Sequence, residues 1–169
     1  CMNTNPVMIY FGQELGEKGM DEEGFSGRDG RTTIFDYWTV DTIRRWRSGG
    51  KFDGKMLTKE EKKLQSFYST LLNLCNKEKA ICEGVFFDLT YANLEGIIFN
   101  EHRQYAFFRK AGKDLLFIIV NFDEKPAAPC VKIPTHAFDY LGIPFKDSYK
   151  AKDLLTGNTE TLIMAPDQC

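Results

Sequence analysis

Long hydrophobic runs are missing from this chain. Its longest apolar stretches, such as Leu115 to Val120, fall far short of the roughly 20 residues that span a bilayer. Excess charge of either sign is missing too: 22 Lys and Arg stand against 24 Asp and Glu, so no basic field points to nucleic acid or an anionic membrane. No Cys pair has C-x-x-C spacing, and the odd set at 1, 75, 82, 130 and 169 argues against a closed disulfide framework. Free thiols, buried or terminal, are the expectation. The phosphate-binding G-x-x-x-x-G-K-[ST] and dinucleotide G-x-G-x-x-G registers are both absent. His102 and His136 are the only histidines, and no Ser or Cys signature beside either makes a catalytic base. Both read as surface or turn residues. No secretory n-region and h-region are visible, and Cys1 lies almost directly before an apolar run at Pro6, without a polar tether; the expectation is a cut boundary.

What the chain does have is a core. At 43% hydrophobic residues and nearly balanced charge it is outside the disordered class. Residues 6–11 (Pro-Val-Met-Ile-Tyr-Phe) form a short run of strand formers closed by Gly12. Unbroken apolarity suggests a strand buried on both faces; with both edges open in this segment it is expected to be paired with another chain, refolded or covered by the β domain. Residues 12–33 are glycine-rich, with Gly12, Gly16, Gly19, Gly24, Gly27 and Gly30, and read as a long functional loop. Asp21, Glu22 and Glu23 within it lack the alternating ligand pattern of a calcium loop and read as solvated. Phe35, Tyr37, Trp38 and Trp46 follow; buried they would anchor a helix, exposed they could stack on sugar rings, and core packing is the favoured reading.

Asp41 to Arg47 reads as a short helix stopped by Gly49-Gly50. Thr58 with Glu61 three residues on is a capping box opening a helix to about Asn76. Leu64, Phe67, Tyr68, Leu71, Leu72 and Cys75 share one face of it, a stripe expected to be buried. From Ala80 on, short runs rich in Phe, Ile, Val and Tyr recur at 81–89, 96–101, 105–110, 114–122, 129–133, 148–154 and 159–164. Turn signals such as Ala111-Gly112 and Gly157-Asn158 separate them, the pattern of an antiparallel sandwich or partial barrel. The expected division is therefore an α/β piece over residues 1–78 and an all-β piece over 79–169.

In order, these segments resemble the α-amylase family of glycoside hydrolases. Pro6 to Gly16 is similar to the eighth barrel strand, where a proline-led strand runs into Tyr-Phe-Gly-x-Glu. Asp29 to Trp38 is similar to its continuation in some members, and 58–76, with Leu64, Tyr68 and Leu72, to the last barrel helix. Ala80 to Leu89, Tyr105 to Arg109, Leu116 to Phe122 and Asp153 to Gly157 resemble the family's C-terminal β domain in its usual order.

The fold this implies is α+β: the last β/α unit of a (β/α)8 barrel followed by an antiparallel β-sandwich. The implied activity is retaining cleavage of α-glucosidic linkages in starch-like glucans, with the α-glucan and the rest of the barrel as partners. The family's catalytic carboxylates lie upstream of the eighth strand, and no Asn-His-Asp segment precedes Pro6. No catalytic residue and no cofactor is therefore expected in this segment, although the resemblance admits calcium in the parent enzyme. Gln13, Glu14, Arg28, Asp29, Arg31 and Trp38 become candidates for one wall of the substrate cleft. The competing readings are a non-catalytic carbohydrate-binding β module and an interaction domain unrelated to sugars.

Overall fold

Thr58 and Glu61 form the reciprocal cap their spacing predicts. The Glu61 amide donates to Thr58 Oγ1 at 3.2 Å and the Thr58 amide donates to Glu61 Oε2 at 2.8 Å. The computed structural model describes residues 1–17, 40–94 and 98–168. Within these the chain divides into two compact units, Pro6–Asn73 and the combination of Cys1–Asn5 with Leu74–Cys169.

In the first unit a 3₁₀ turn occupies Gln13–Leu15, helix α1 spans Asp41–Arg47, and helix α2, Lys59–Lys77, starts after the cap and runs on into the second unit. α1 stops where the glycines predict: Ser48, Gly49 and Gly50 all take positive φ, at 50°, 68° and 94°. Two expectations fail here. Residues 6–10 adopt no regular structure and join neither sheet, and Met8 is 81% exposed. A strand persists only when neighbours complete its hydrogen-bond ladder, and the described residues of this unit offer none. The α2 stripe is half-buried at Leu64, Tyr68, Leu71 and Leu72 and exposed at Phe67. A unit whose buried apolar side chains among the described residues are Leu15 and Leu57 has too little interior to cover a whole helix face.

The second unit holds a short helix α3 (Lys79–Cys82), strands β1 (Val85–Asp88), β2 (Gln104–Ala111) and β3 (Asp114–Asn121), helix α4 (Thr135–Leu141), and strands β4 (Tyr149–Lys152) and β5 (Thr159–Leu162). The chain is thus α+β, with an antiparallel sheet in the order β1-β2-β3 and an antiparallel β4-β5 pair. The β2–β3 hairpin closes at Ala111↔Asp114 around Gly112, whose φ of 58° suits glycine. Ala106 and Phe108 point from β2 into a core with Leu89, Phe99, Ile133, Ala137, Phe138, Leu141, Ile143 and Met164. On the opposite face of β2, Phe107 packs on Phe86 and Tyr105, and Arg109 reaches α3. Among the described residues no helix is long and apolar enough to cross a membrane.

Several strand boundaries need correction. The run at 81–89 begins as α3, and strand geometry starts only at Val85. The described part of 96–101, residues 98–101, forms no strand. Residues 129–133 form no strand beyond an isolated bridge from Ile133 to Pro166. Pro126, Pro129 and Pro134 remove ladder donors around that run. The unpredicted α4 follows Pro134, buries Ala137, Phe138 and Leu141 at helical spacing, and ends on Gly142 at φ 58°. The cysteines need correction as well: Cys130 is disulfide-bonded, whereas Cys1, Cys75 and Cys82 are free. Pairing depends on which Cβ atoms meet in space, and neither count nor spacing reports that.

Gly84 sits where two backbones converge. A Cβ there would lie 2.2 Å from the Ala80 carbonyl oxygen and 2.7 Å from that of Lys110. Neither atom can rotate away. Gly84→Ala is expected to destabilise the chain by about 1–3 kcal/mol, the usual cost of forced overpacking. Thermal unfolding followed by circular dichroism should show a midpoint several degrees lower; an unchanged midpoint would mean the α3–β1 junction is misplaced.

Candidate functional site

Gly12 and Gly16 bracket the turn that carries the predicted cleft residues, both in the left-handed region at φ 70° and 79°. Non-glycine residues rarely adopt this conformation, and a Cβ on Gly12 would also lie 2.7 Å from Glu17 Cβ. The turn is tightly bonded. The Leu15 and Glu17 amides both donate to the Gly12 carbonyl, at 2.9 and 3.0 Å, and the Gln13 amide donates to Tyr10 at 3.0 Å. Leu15 anchors it from below at 2% exposure.

The side chains at this turn differ in what they can do. Gln13 is exposed but committed: its Oε1 accepts the Tyr10 amide at 3.1 Å and its Nε2 donates to Tyr68 Oη on α2 at 2.8 Å. It braces the turn. Glu17 accepts a hydrogen bond from Thr42 Oγ1 on α1. Glu14 is half-buried and has no hydrogen-bond or ion-pair partner among the described residues. A lone carboxylate can accept hydrogen bonds from hydroxyl groups. It cannot by itself perform glycosidic hydrolysis, which needs two carboxyls in defined opposition. Arg28, Asp29, Arg31 and Trp38 lie outside the described residues, as do Asp21, Glu22, Glu23, Phe35 and Tyr37. Trp46, read as core, lies 37% exposed, packed edge-on against Phe52 at 5.3 Å.

Spacing alone did not reveal the ion pair that ties α1 to α2. Arg45 Nε lies 3.0 and 3.1 Å from the two Glu61 carboxylate oxygens, and Nη2 lies 2.5 Å from Oε1. Glu61 therefore both caps α2 and holds Arg45, which explains how a carboxylate at 8% exposure is tolerated. Asp41, Arg44, Arg45, Arg47, Gly49 and Met56 line a cavity of about 470 Å³ beside this pair. Its three guanidinium groups make it rich in donors. Among the described residues no three His, Cys, Asp or Glu side chains gather as a metal site, so no calcium position is derived from them. His102 and His136 are both exposed, as expected, but His136 sits on α4 against Tyr91 Oη at 2.7 Å.

The pair sets an acid dependence. The Arg45 hydrogen bonds hold the Glu61 carboxyl below the usual glutamate range against the opposing effect of burial, and the Thr58 amide adds to them. A depressed folded-state pKa contributes stability that is present above the unfolded value, about 4.3 for glutamate, and is lost as pH falls through the folded value. Glu61→Gln should therefore be less stable than the parent chain at pH 7, by about 1–3 kcal/mol for a charged hydrogen bond. The gap should narrow between pH 5 and 3. Denaturant melts across that range check it; a gap independent of pH would mean the pair does not form in solution.

Comparison with protein-family models, with curated proteins and with solved structures finds no match to this chain.

Proposed function

We propose that this chain is the C-terminal portion of an α-amylase-type glycoside hydrolase acting on α-glucosidic linkages of starch-like glucans. The observation that carries the reading is the segment Pro6 to Gly16, an apolar run ending in a glycine-bracketed turn with an uncommitted Glu14. In the family it resembles, that position belongs to the rim of the barrel, where such enzymes build their sites. The order of the later segments, a capped helix and then short antiparallel strands, supports the same reading.

In this proposal the chain supplies one wall of the cleft and no catalytic carboxylate. Gln13 holds the turn through Tyr10 and Tyr68, and Glu14 accepts hydrogen bonds from glucose hydroxyls. The acid and the nucleophile, about 5–5.5 Å apart in a retaining enzyme, come from strands upstream of Pro6. Residues 79–169 stand for the family's C-terminal domain. Gln13, Glu14, Arg28, Asp29, Arg31 and Trp38 together make the proposed wall.

The assay is release of a chromogenic leaving group from a maltotrioside. The complete upstream reading frame should turn it over, whereas residues 1–169 alone should be silent. In the complete protein Glu14→Gln should raise KM several-fold with a smaller change in kcat, since the interaction is made in ground state and transition state alike. Turnover by residues 1–169 that disappears in Glu14→Gln would overturn the proposal, as would an inert complete protein.

A further inference from the structure

Two free cysteines meet where α2 gives way to α3, and the cleft proposed above uses neither. Cys75 lies in the last turn of α2 and is half-buried, whereas Cys82 ends α3 and is exposed. The Cys82 thiol donates to the Cys75 carbonyl at 3.1 Å, so its sulfur rests against the backbone of the other cysteine. Burial pushes the Cys75 thiol up, the Cys1 amine opposes this and Cys82 adds to it, which marks the two thiols as electrostatic neighbours.

The turn between the helices produces this approach. In a continuous α-helix, residues seven apart stand about 10 Å apart along the axis, beyond the reach of a disulfide. Here the helix breaks at Glu78, whose extended backbone (φ −76°, ψ 111°) starts α3 in a new direction. The Glu78 amide still donates to the Leu74 carbonyl at 2.9 Å, and the Glu78 carbonyl accepts the Ile81 and Cys82 amides at 2.9 and 3.0 Å. Ala80 and Ile81 are buried, and their carbonyls accept hydrogen bonds from Arg109. Cys82 is therefore held toward solvent on a fixed base, with Cys75 beside it.

We infer that Cys75 and Cys82 form a dithiol site for exchange with small-molecule disulfides such as oxidised glutathione. Cys82, its proton lost to solvent, attacks one sulfur of the disulfide; a mixed disulfide forms and one glutathione leaves as its thiolate. Cys75, deprotonated in turn, attacks Cys82 Sγ; the bond to glutathione breaks, the Cys75–Cys82 bond forms and the second glutathione leaves. The chain gives up two hydrogens and two electrons, which appear in two molecules of reduced glutathione. Exposure assigns the order: the attacking thiol must be accessible, and the resolving thiol need only reach its neighbour. Cys130, already disulfide-bonded, takes no part. This site is independent of the proposed function.

The test is incubation of residues 1–169 with oxidised glutathione, an acid quench, alkylation, and tryptic peptide mapping by mass spectrometry without reduction. Lys77 and Lys79 stand between the two cysteines, so their tryptic peptides stay joined only through a disulfide. The joined pair should be the main product. Cys75→Ser should abolish it and leave Cys82 carrying one glutathionyl group. Cys82→Ser, at an exposed position, should abolish it and slow the modification of Cys75 roughly tenfold relative to that of Cys82 in Cys75→Ser, because the half-buried thiol then has to react with the reagent directly. A parent chain in which Cys82 keeps its glutathionyl group overturns the inference. So does one in which both thiols stay free, or in which either pairs with Cys1 or Cys130 instead.

Discussion

Strand β2 must be buried on both faces, and the second unit is built around that requirement. Ala106, Phe107, Phe108 and Arg109 are each at or below 2% exposure. Strands β1 and β3 satisfy its two edges. The apolar face carrying Phe108 takes α4 and the core. The other face contains a guanidinium, and a buried charge demands hydrogen bonds. Arg109 finds them at the end of α3, where Nε donates to the Ala80 carbonyl at 3.1 Å and Nη2 donates to Ile81. Helix termini expose carbonyls that need donors, so one contact settles two debts. Nη1 keeps no partner among the described residues. The crowding that leaves Gly84 no room for a Cβ arises at the same junction.

The first unit depends on a polar contact more than on an apolar core. Glu61 receives the Thr58 amide and the Arg45 fork together, joining the start of α2 to α1. The turn at Gly12 is linked to the same two helices through Gln13–Tyr68 and Glu17–Thr42. Hydrogen bonds thus fix the geometry of the Gly12 turn, while α2 leaves much of its apolar stripe open. A site assembled this way is precise where its donors and acceptors pair. It is also sensitive to acid at Glu61, whose carboxylate accepts from Arg45 and from the Thr58 amide.

The aromatic reading made from the sequence fell on Phe35, Tyr37, Trp38 and Trp46, because those residues cluster along the chain. Phe87, Tyr91, His136 and Tyr140 escaped it because β1, a 3₁₀ turn and α4 bring them together across some fifty positions of sequence.

Features set by neighbours along the chain were legible in the sequence: α1 and its glycine stop, the Thr58–Glu61 cap and the Gly112 hairpin. Each is decided within about four residues by caps and φ preferences, which composition states directly. Tertiary structure alone decided the rest. Whether 6–10 becomes a strand depends on a neighbour to ladder with, and apolarity does not supply one. Residues 135–141 become a helix that Ala137, Phe138 and Leu141 dock on the sheet. Arg45 reaches Glu61, Arg109 reaches α3, Cys130 enters a disulfide and four rings meet at Phe87 only because the chain returns on itself. Such contacts join residues distant in sequence, and their energy exists only once the fold has closed the loops between them.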